Sequence, residues 1–186
     1  MSFGRVAIIG TGLIGGSVAA ALRVRGLARS VVGHAPADAQ DALALGLIDE
    51  VAASLEAAID GADLVVLAAP VSVNAALMLP IGRRLGAQAV LTDVSSVKAP
   101  IVAAARASLG DRLPCFMPSH PIAGAETSGP AAADHALFEA RTVILSPLPD
   151  TAPEAVETVT RLWRLLGAST FELDVLDHDR IYALVS

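Results

Sequence analysis

The amino-acid sequence predicts an α/β fold, a doubly wound and mostly parallel sheet with helices on both faces. Short apolar segments typical of strands alternate with longer, Ala- and Leu-rich segments of helical length along nearly all of the 186 residues. Several of the strand segments are continuous apolar runs, which is typical of strands covered on both faces. A glycine-rich turn joins the first strand to the first helix, as it does in folds of the Rossmann type.

The strands are predicted where short apolar runs are bounded by Gly, Pro or Asp. The clearest run begins after Asp63 and ends at Pro70, which confines it to strand length. By this criterion the strands lie at 6–9, 31–33, 64–69, 89–92, 115–118, 142–145 and 170–173.

The helices are predicted from apolar periodicity and from a glycine just beyond each C-terminus. Four of the helices cover 13–25, 37–45, 98–109 and 153–166, and a further one ends near residue 85. The glycines that follow their C-termini are Gly26, Gly46, Gly86, Gly110 and Gly167. A last helix starts at Asp174, with an apolar face at Val175, Ile181 and Leu184, and is still running at Ser186. We therefore expect a dinucleotide-binding domain at 1–173 and the start of a truncated helical domain at 174–186.

Composition excludes several classes of protein. With 54% hydrophobic and 17% charged residues, the chain is expected to fold around a large core. A net charge of -6 without a Lys/Arg cluster argues against a nucleic-acid partner. The apolar runs are too short to span a membrane and no signal peptide is visible, so we expect a cytoplasmic protein without a membrane partner. Cys115 is the one cysteine, expected as a buried thiol, and no metal site is predicted.

The glycine-rich turn predicts a dinucleotide site. In this motif the first glycine permits the tight turn, the second lets the backbone approach a pyrophosphate, and the third lets helix and strand pack closely. The N-terminus of the following helix offers free N–H groups to the phosphates. The candidate cofactor residues here are Gly10, Thr11, Gly12, Leu13, Ile14 and Gly15.

The other cofactor contacts are expected at the carboxyl ends of the next strands. His34 ends the second strand, but Ala35 stands where an acidic residue would hold the adenosine ribose. No carboxylate there repels a 2′-phosphate and no Arg or Lys binds one, so the sequence leaves NAD and NADP both open. After the third and fourth strands the expected contacts are Ala69, Pro70, Val71 and Asp93.

A polar segment at 118–129 is the candidate for chemistry. Its Pro and Gly content predicts a loop instead of a helix or strand, and polar loops of this kind meet ligands. An unperturbed imidazole, such as the sequence offers at His120, has a pKa suited to accepting a proton near neutral pH. Ser95 and Ser96 follow an earlier strand, where a helix cap is the usual role of serine.

Several segments together resemble the prephenate and arogenate dehydrogenase family of tyrosine biosynthesis. They are the start Gly12-Leu13-Ile14-Gly15-Gly16-Ser17, then Asp93-Val94-Ser95-Ser96-Val97-Lys98, then Ser119-His120-Pro121-Ile122-Ala123-Gly124-Ala125-Glu126 with its continuation Thr127-Ser128-Gly129, then Leu137-Phe138-Glu139 and the terminal Asp177-His178-Asp179. The resemblance covers essentially the whole chain. It implies oxidative decarboxylation of prephenate or arogenate, with hydride passing to NAD or NADP.

The resemblance also assigns roles. It makes His120 the catalytic base or hydrogen-bond acceptor for the substrate hydroxyl, and Ser96 the residue that orients the hydroxyl or the imidazole. It also places Glu126 at the mouth of the substrate pocket and makes Ser186 a substrate contact. Family members continue with a helical domain that supplies a homodimer interface and an arginine for a substrate carboxylate. We therefore expect the isolated chain to bind dinucleotide and to turn over substrate poorly.

Other candidate residues have simpler interpretations. Lys98 is expected as a solvated first-turn lysine, with pairing to Asp93 or to a phosphate as the alternatives. His178 is expected to be solvated. Trp163 is expected to pack its helix on the sheet. Two other functions stay open: a β-hydroxyacid-type dehydrogenase, which would leave the segment around His120 unexplained, and a non-catalytic dinucleotide-binding module.

Overall fold

The computed structural model describes residues 3–124 and 127–183, and its centre is an eight-stranded sheet in the order β3-β2-β1-β4-β5-β6-β7-β8. Neighbouring strands are parallel except β6 and β7, which are antiparallel. The strands are β1 Phe3–Ile9, β2 Ala28–His34, β3 Glu50–Val51, β4 Leu64–Leu67, β5 Val90–Asp93, β6 Phe116–Pro121, β7 Thr142–Leu145 and β8 Ser169–Glu172.

Helices cover both faces of this sheet, as the sequence predicts. The α-helices are α1 Leu13–Val24, α2 Ala39–Ala44, α3 Leu55–Ile59, α4 Val71–Gly82, α5 Ala99–Ser108, α6 Pro153–Leu165 and α7 Val175–Tyr182. Short 3₁₀ helices lie at Gly110–Cys115 and Pro130–Ala132. Within the described residues no helix is long and apolar enough to cross a membrane.

The core consists of two apolar layers, one on each face of the sheet. Successive residues of β1 alternate between them: Val6 and Ile8 pack with α1 and α6, whereas Ala7 and Ile9 pack with α3, α4 and α5. Burial of a valine or isoleucine side chain such as Val6, Ile8 or Ile9 contributes about 1.5–3 kcal/mol. Trp163 of α6 is fully buried in the first layer, which confirms the prediction that it packs its helix on the sheet.

The topology brings the functional segments to one edge of the sheet. The carboxyl ends of the parallel strands β1, β4, β5 and β6 meet there, and the strand order reverses between β1 and β4. Ligands of open α/β sheets bind at this reversal.

The sequence-based assignment is wrong in two places along this framework. The sequence predicts a strand that ends at Pro118 and a loop beyond it, but Ser119, His120 and Pro121 still belong to β6. The prolines are tolerated because the ladder uses a carbonyl there: the N–H of Ser146 donates to the oxygen of Pro118. The short elements β3 and α3 were not predicted at all.

The last helix also differs from its prediction. Val175 packs against the second apolar layer, but Ile181 is 48% exposed and Leu184 lies outside the described residues. The residue that α7 buries fully is His178, not an apolar one. Cys115 is half-buried, so it is more exposed than the buried thiol that its apolar neighbours predicted.

Candidate functional site

The glycine-rich turn has the geometry that its sequence predicts. Gly10 has φ of +96°, and a Cβ added to it would lie 2.6 Å from the carbonyl carbon of Ala68. A Cβ on Gly15 would lie 1.9 Å from the oxygen of Gly10, so helix and strand approach too closely for a side chain. At Gly12, by contrast, an added Cβ meets nothing within 4 Å. The fold therefore requires Gly10 and Gly15, whereas Gly12 leaves open space at the N-terminus of α1.

Three cavities lie in series along the carboxyl edge of the sheet. The β2-side cavity, about 470 Å³, is bounded by the ends of β1, β2 and β4. The central cavity, about 400 Å³, lies between the start of α1 and the turns after β4 and β5. The α7-side cavity, about 430 Å³, opens beyond the end of β6. Ala68, Ala69 and Pro70 line the first two, and Ser96 and His120 line the last two.

Most of the predicted cofactor residues lie on these walls. Gly10, Gly12 and His34 line the β2-side cavity, and Leu13, Ile14 and Val71 line the central one. Thr11, Gly15 and Asp93 do not line any of these three cavities. Thr11 and Asp93 are fully buried, and Gly15 lies against the backbone of the turn.

Asn74, a residue with no predicted role, holds the turn after β4. Its Oδ1 accepts a hydrogen bond from the N–H of Ala69 (3.2 Å), and its Nδ2 donates to the oxygen of Ala69 (2.8 Å). Nδ2 also lies 3.2 Å from Oγ of Ser95. This fully buried amide ties two turns of the central cavity together. The signal available in the sequence was an amide side chain inside a mostly apolar helix.

A buried ion pair supports the wall behind His120. Lys98 Nζ lies 2.5 Å from Asp93 Oδ2 and 2.6 Å from the oxygen of Ser119, and both charged side chains are 0% exposed. The prediction of a solvated lysine is therefore wrong, and the alternative of a pair with Asp93 is confirmed. Burial lowers the pKa of Lys98, and Asp93 opposes that shift.

The N-terminus of α5 is capped from α7 and not by Ser95 or Ser96. The helix begins at Ala99, and the carboxylate of Asp179 accepts hydrogen bonds from the N–H groups of Lys98 (2.7 Å) and Ala99 (2.8 Å). Desolvation would raise the pKa of Asp179, but these bonds and one from His178 outweigh it, so that pKa is lowered. Ser96 is exposed and lines two of the cavities.

His120 is held between the end of β6 and helix α7. Its backbone pairs with Ile144 of β7, and its Nδ1 lies 2.9 Å from Nε2 of His178. His178 is fully buried, so the prediction of a solvated side chain is wrong. Tyr182 packs edge-on against His120, with ring centroids 5.0 Å apart.

The surroundings of His120 favour its neutral form. Burial, with a smaller effect from the charge of Lys98 and then from His178, lowers the pKa of His120 from 6.5 to about 4, while Asp179 opposes the shift. At neutral pH this imidazole is unprotonated and can accept a proton.

The remaining predicted substrate contacts cannot be placed. Glu126 and Ser186 both lie outside the described residues. The structure instead adds Arg141 and Tyr182 to the wall of the α7-side cavity. Among the described residues, no cluster of three or more His, Cys, Asp or Glu side chains is arranged to hold a metal ion.

Comparison with known proteins gives consistent matches over this chain. A family model described as prephenate dehydrogenase, nucleotide-binding domain, matches residues 18–172. A cyclohexadienyl dehydrogenase of Zymomonas mobilis subsp. mobilis is 32% identical over 188 residues, which cover 99% of this chain and 63% of the relative. A prephenate dehydrogenase of Bacillus subtilis is 33% identical over 184 residues, which cover 97% of this chain and 49% of the relative.

A solved structure matches the fold closely. The crystal structure of prephenate dehydrogenase from A. aeolicus, in complex with hydroxyphenyl propionate and NAD+, superposes with a TM-score of 0.91 at 32% identity. The match covers 100% of this chain and 65% of that one. The chain thus spans from about half to just under two thirds of the length of these relatives.

Proposed function

The chain belongs to the prephenate dehydrogenase family, and we propose on that basis that it forms the dinucleotide-binding part of an enzyme for the oxidative decarboxylation of prephenate or arogenate. The observation that carries the proposal is the position of His120 and Ser96. Both line the central cavity and the α7-side cavity, where a cofactor in the first and a substrate in the second would meet.

The residues of the glycine-rich turn fit a dinucleotide. The open space above Gly12 lets a pyrophosphate approach the backbone, and no side chain of the described residues caps the N-terminus of α1. The adenosine would occupy the β2-side cavity beside His34, and the nicotinamide the central cavity beside Ala69 and Val71. When bound, the nicotinamide supplies the acceptor for a hydride.

We propose NAD⁺ and not NADP⁺ as the preferred cofactor. A 2′-phosphate needs a cationic partner, and the described walls of the β2-side cavity contain no Arg or Lys. They do contain the carboxylate of Asp38, which would repel that phosphate. Calorimetric titration should show NAD⁺ bound at least about tenfold more tightly, a difference of roughly 1.4 kcal/mol. Equal or tighter binding of NADP⁺ would contradict this preference.

In the proposed mechanism His120 accepts the proton of the substrate's ring hydroxyl and later returns it. As hydride leaves the ring carbon, the hydroxyl proton moves to the imidazole. Cleavage of the bond to the ring carboxylate then releases CO₂ and makes the ring aromatic. The oxygen takes the proton back, so His120 returns to its neutral form. The low pKa of His120 keeps this group ready to accept at neutral pH.

The remaining roles rest on the family resemblance. Ser96 would orient the hydroxyl or the imidazole, Glu126 would lie at the pocket mouth, and Ser186 would contact substrate. The division into domains at 1–173 and 174–186, a homodimer built by the helical domain and work in the cytoplasm belong to the same proposal. Light scattering of the protein extended by that domain tests the dimer.

The alternatives make different predictions. A non-catalytic binding module would bind dinucleotide without substrate-dependent reduction, and a β-hydroxyacid-type dehydrogenase would not need His120. The test is absorbance at 340 nm with NAD⁺ and either prephenate or arogenate. It is run on this chain alone and on the chain joined to the C-terminal segment of the Zymomonas mobilis relative. Substrate-dependent reduction supports the proposal. Intact NAD⁺ binding with no reduction in either protein contradicts it.

A further inference from the structure

We propose that His178 is a positioning residue that fixes the tautomer of His120, so that Nε2 of His120 is the bare nitrogen that receives the substrate proton. The inference rests on the proposed function only for its catalytic consequence, because the tautomer itself is a property of the folded chain. It is argued from a series of hydrogen bonds that starts at Asp179, passes through His178 and ends at His120.

Asp179 acts only as a hydrogen-bond acceptor, and this fixes which atom donates in each hydrogen bond of the series. Its Oδ1 accepts a hydrogen bond from the N–H of Lys98, and its Oδ2 accepts one from the N–H of Ala99. A backbone N–H has no other role than donor, so both oxygens are held as acceptors. Capping α5 therefore keeps Asp179 ionised, and an ionised carboxylate has no proton to offer to the imidazole beside it.

His178 must then donate to Asp179. Its Nδ1 lies 2.8 Å from Asp179 Oδ1, a distance that requires a hydrogen on the nitrogen. A neutral imidazole carries one N–H, so a neutral His178 with its hydrogen on Nδ1 has a bare Nε2. The ring is 0% exposed, and water does not compete for that nitrogen.

The bare Nε2 of His178 determines the hydrogen on His120. His120 Nδ1 lies 2.9 Å from it, and two bare nitrogens do not attract each other. The hydrogen of neutral His120 is therefore on Nδ1, which leaves Nε2 as its acceptor. In the opposite tautomer Nε2 would carry a hydrogen and could only donate to a hydroxyl oxygen, so it could not receive the proton.

Lys98, Tyr182 and Arg141 lie near the two rings, and the ammonium of Lys98 does not alter this assignment. Lys98 donates to Asp93 and to the oxygen of Ser119, so its ammonium is already paired away from the imidazole. Tyr182 contacts both rings through its aromatic face and edge, with centroids 5.0 Å and 4.8 Å away. Arg141 lies on the wall of the α7-side cavity.

The test is a two-dimensional ¹H–¹⁵N correlation of the imidazole groups, recorded on the uniformly labelled chain at pH 7.5. Each tautomer gives a different pattern of two-bond and three-bond couplings from the ring carbon protons. We expect both His120 and His178 to show hydrogen on Nδ1 only. Hydrogen on Nε2 of His120, or on both nitrogens of His178, would overturn the proposal.

Two variants separate positioning from packing. His178→Gln keeps an oxygen that accepts from His120, whereas His178→Leu keeps bulk without an acceptor. We expect His178→Gln to preserve the His120 tautomer and His178→Leu to mix it. Asp177→Asn, an exposed change on the same helix, is the matched control and should leave the spectrum unaltered. An unchanged His120 pattern in His178→Leu, with the fold intact by backbone spectra, would overturn the proposal.

Activity gives the second readout. If the family reaction is present, His178→Leu should lower kcat by about 10–100-fold, with a much smaller change in KM, and His178→Gln should recover part of the loss. Equal kcat in His178→Leu and wild type would overturn the positioning role. If the wild type shows the expected tautomers but no substrate-dependent reduction, the proposed function fails while the tautomer assignment stands.

Discussion

Replacing Lys98 with Met should destabilise the fold severely, because it leaves the carboxylate of Asp93 buried without its counter-ion. Both side chains are fully buried and their charged atoms are 2.5 Å apart. The carboxylate would keep one hydrogen bond, from the N–H of Ser95 (3.0 Å), since its Oδ1 has no partner among the described residues. The oxygen of Ser119 would lose its donor as well.

The size of the effect follows from the burial of the pair. Removing one partner of a buried ion pair costs about 3–5 kcal/mol in free energy of unfolding. For a chain of this length, each kcal/mol lowers Tm by about 2–4 °C, so the expected loss is about 6–20 °C. The double variant Lys98→Met/Asp93→Asn removes both charges and should regain most of that stability.

The assay is urea unfolding followed by the fluorescence of Trp163, the chain's one tryptophan. Its indole N–H donates to Oγ of Ser119, one residue from His120, so it reports on this region. The free energies of the wild type, both single variants and the double variant form a cycle. A loss below about 1 kcal/mol in Lys98→Met, the value of an exposed pair, would refute the reasoning. So would additive effects in the double variant.

Further substitutions test the turn, the buried amide and the histidine. Gly15→Ala should destabilise the fold by about 1–3 kcal/mol because its Cβ would meet the oxygen of Gly10, whereas Gly12→Ala should unfold like the wild type and lose NAD⁺ affinity; equal stability of the two variants would contradict this. Asn74→Ala should cost about 1–3 kcal/mol and weaken NAD⁺ binding, measured by urea unfolding and calorimetry; unchanged affinity would show that the turn does not depend on the amide. Because the pKa of His120 is about 4 when folded and near 6.5 when unfolded, the unfolded chain takes up the proton first as the pH falls, and stability should decline between these values. Urea midpoints at pH 7.5 and 4.5 should therefore differ less in His120→Asn than in the wild type, and an equal difference would show that His120 does not contribute.

The part of the fold that follows local rules could be predicted from the sequence. The glycines of the turn, the strand of 64–69 and the helix after Pro153 each carry their signal within a few residues. Their observed counterparts begin and end close to the predicted bounds. The two-residue strand β3 and the short helix α3 have too few residues for a period to be visible.

The interactions that shape the site could not be predicted in the same way. Lys98 and Asp179 are 81 positions apart, and His120 and His178 are 58 apart. They meet because β7 runs antiparallel to β6 and the chain then returns through α6 and β8 to place α7 against α5. A lysine in the first turn of a helix and a histidine between two aspartates look solvated until that return is known. The roles of Glu126 and Ser186 stay predictions.

The central claim is that His120 accepts the substrate proton where the cofactor and substrate cavities meet. The most direct measurement is single-turnover reduction of NAD⁺ by prephenate or arogenate, followed at 340 nm. It compares the wild type with His120→Asn, both in the chain joined to the C-terminal segment of the Zymomonas mobilis relative. NAD⁺ affinity is measured in both. The account predicts reduction by the wild type and a rate about 10²–10⁴-fold lower in His120→Asn at equal NAD⁺ affinity. A rate in His120→Asn within tenfold of the wild type would contradict it.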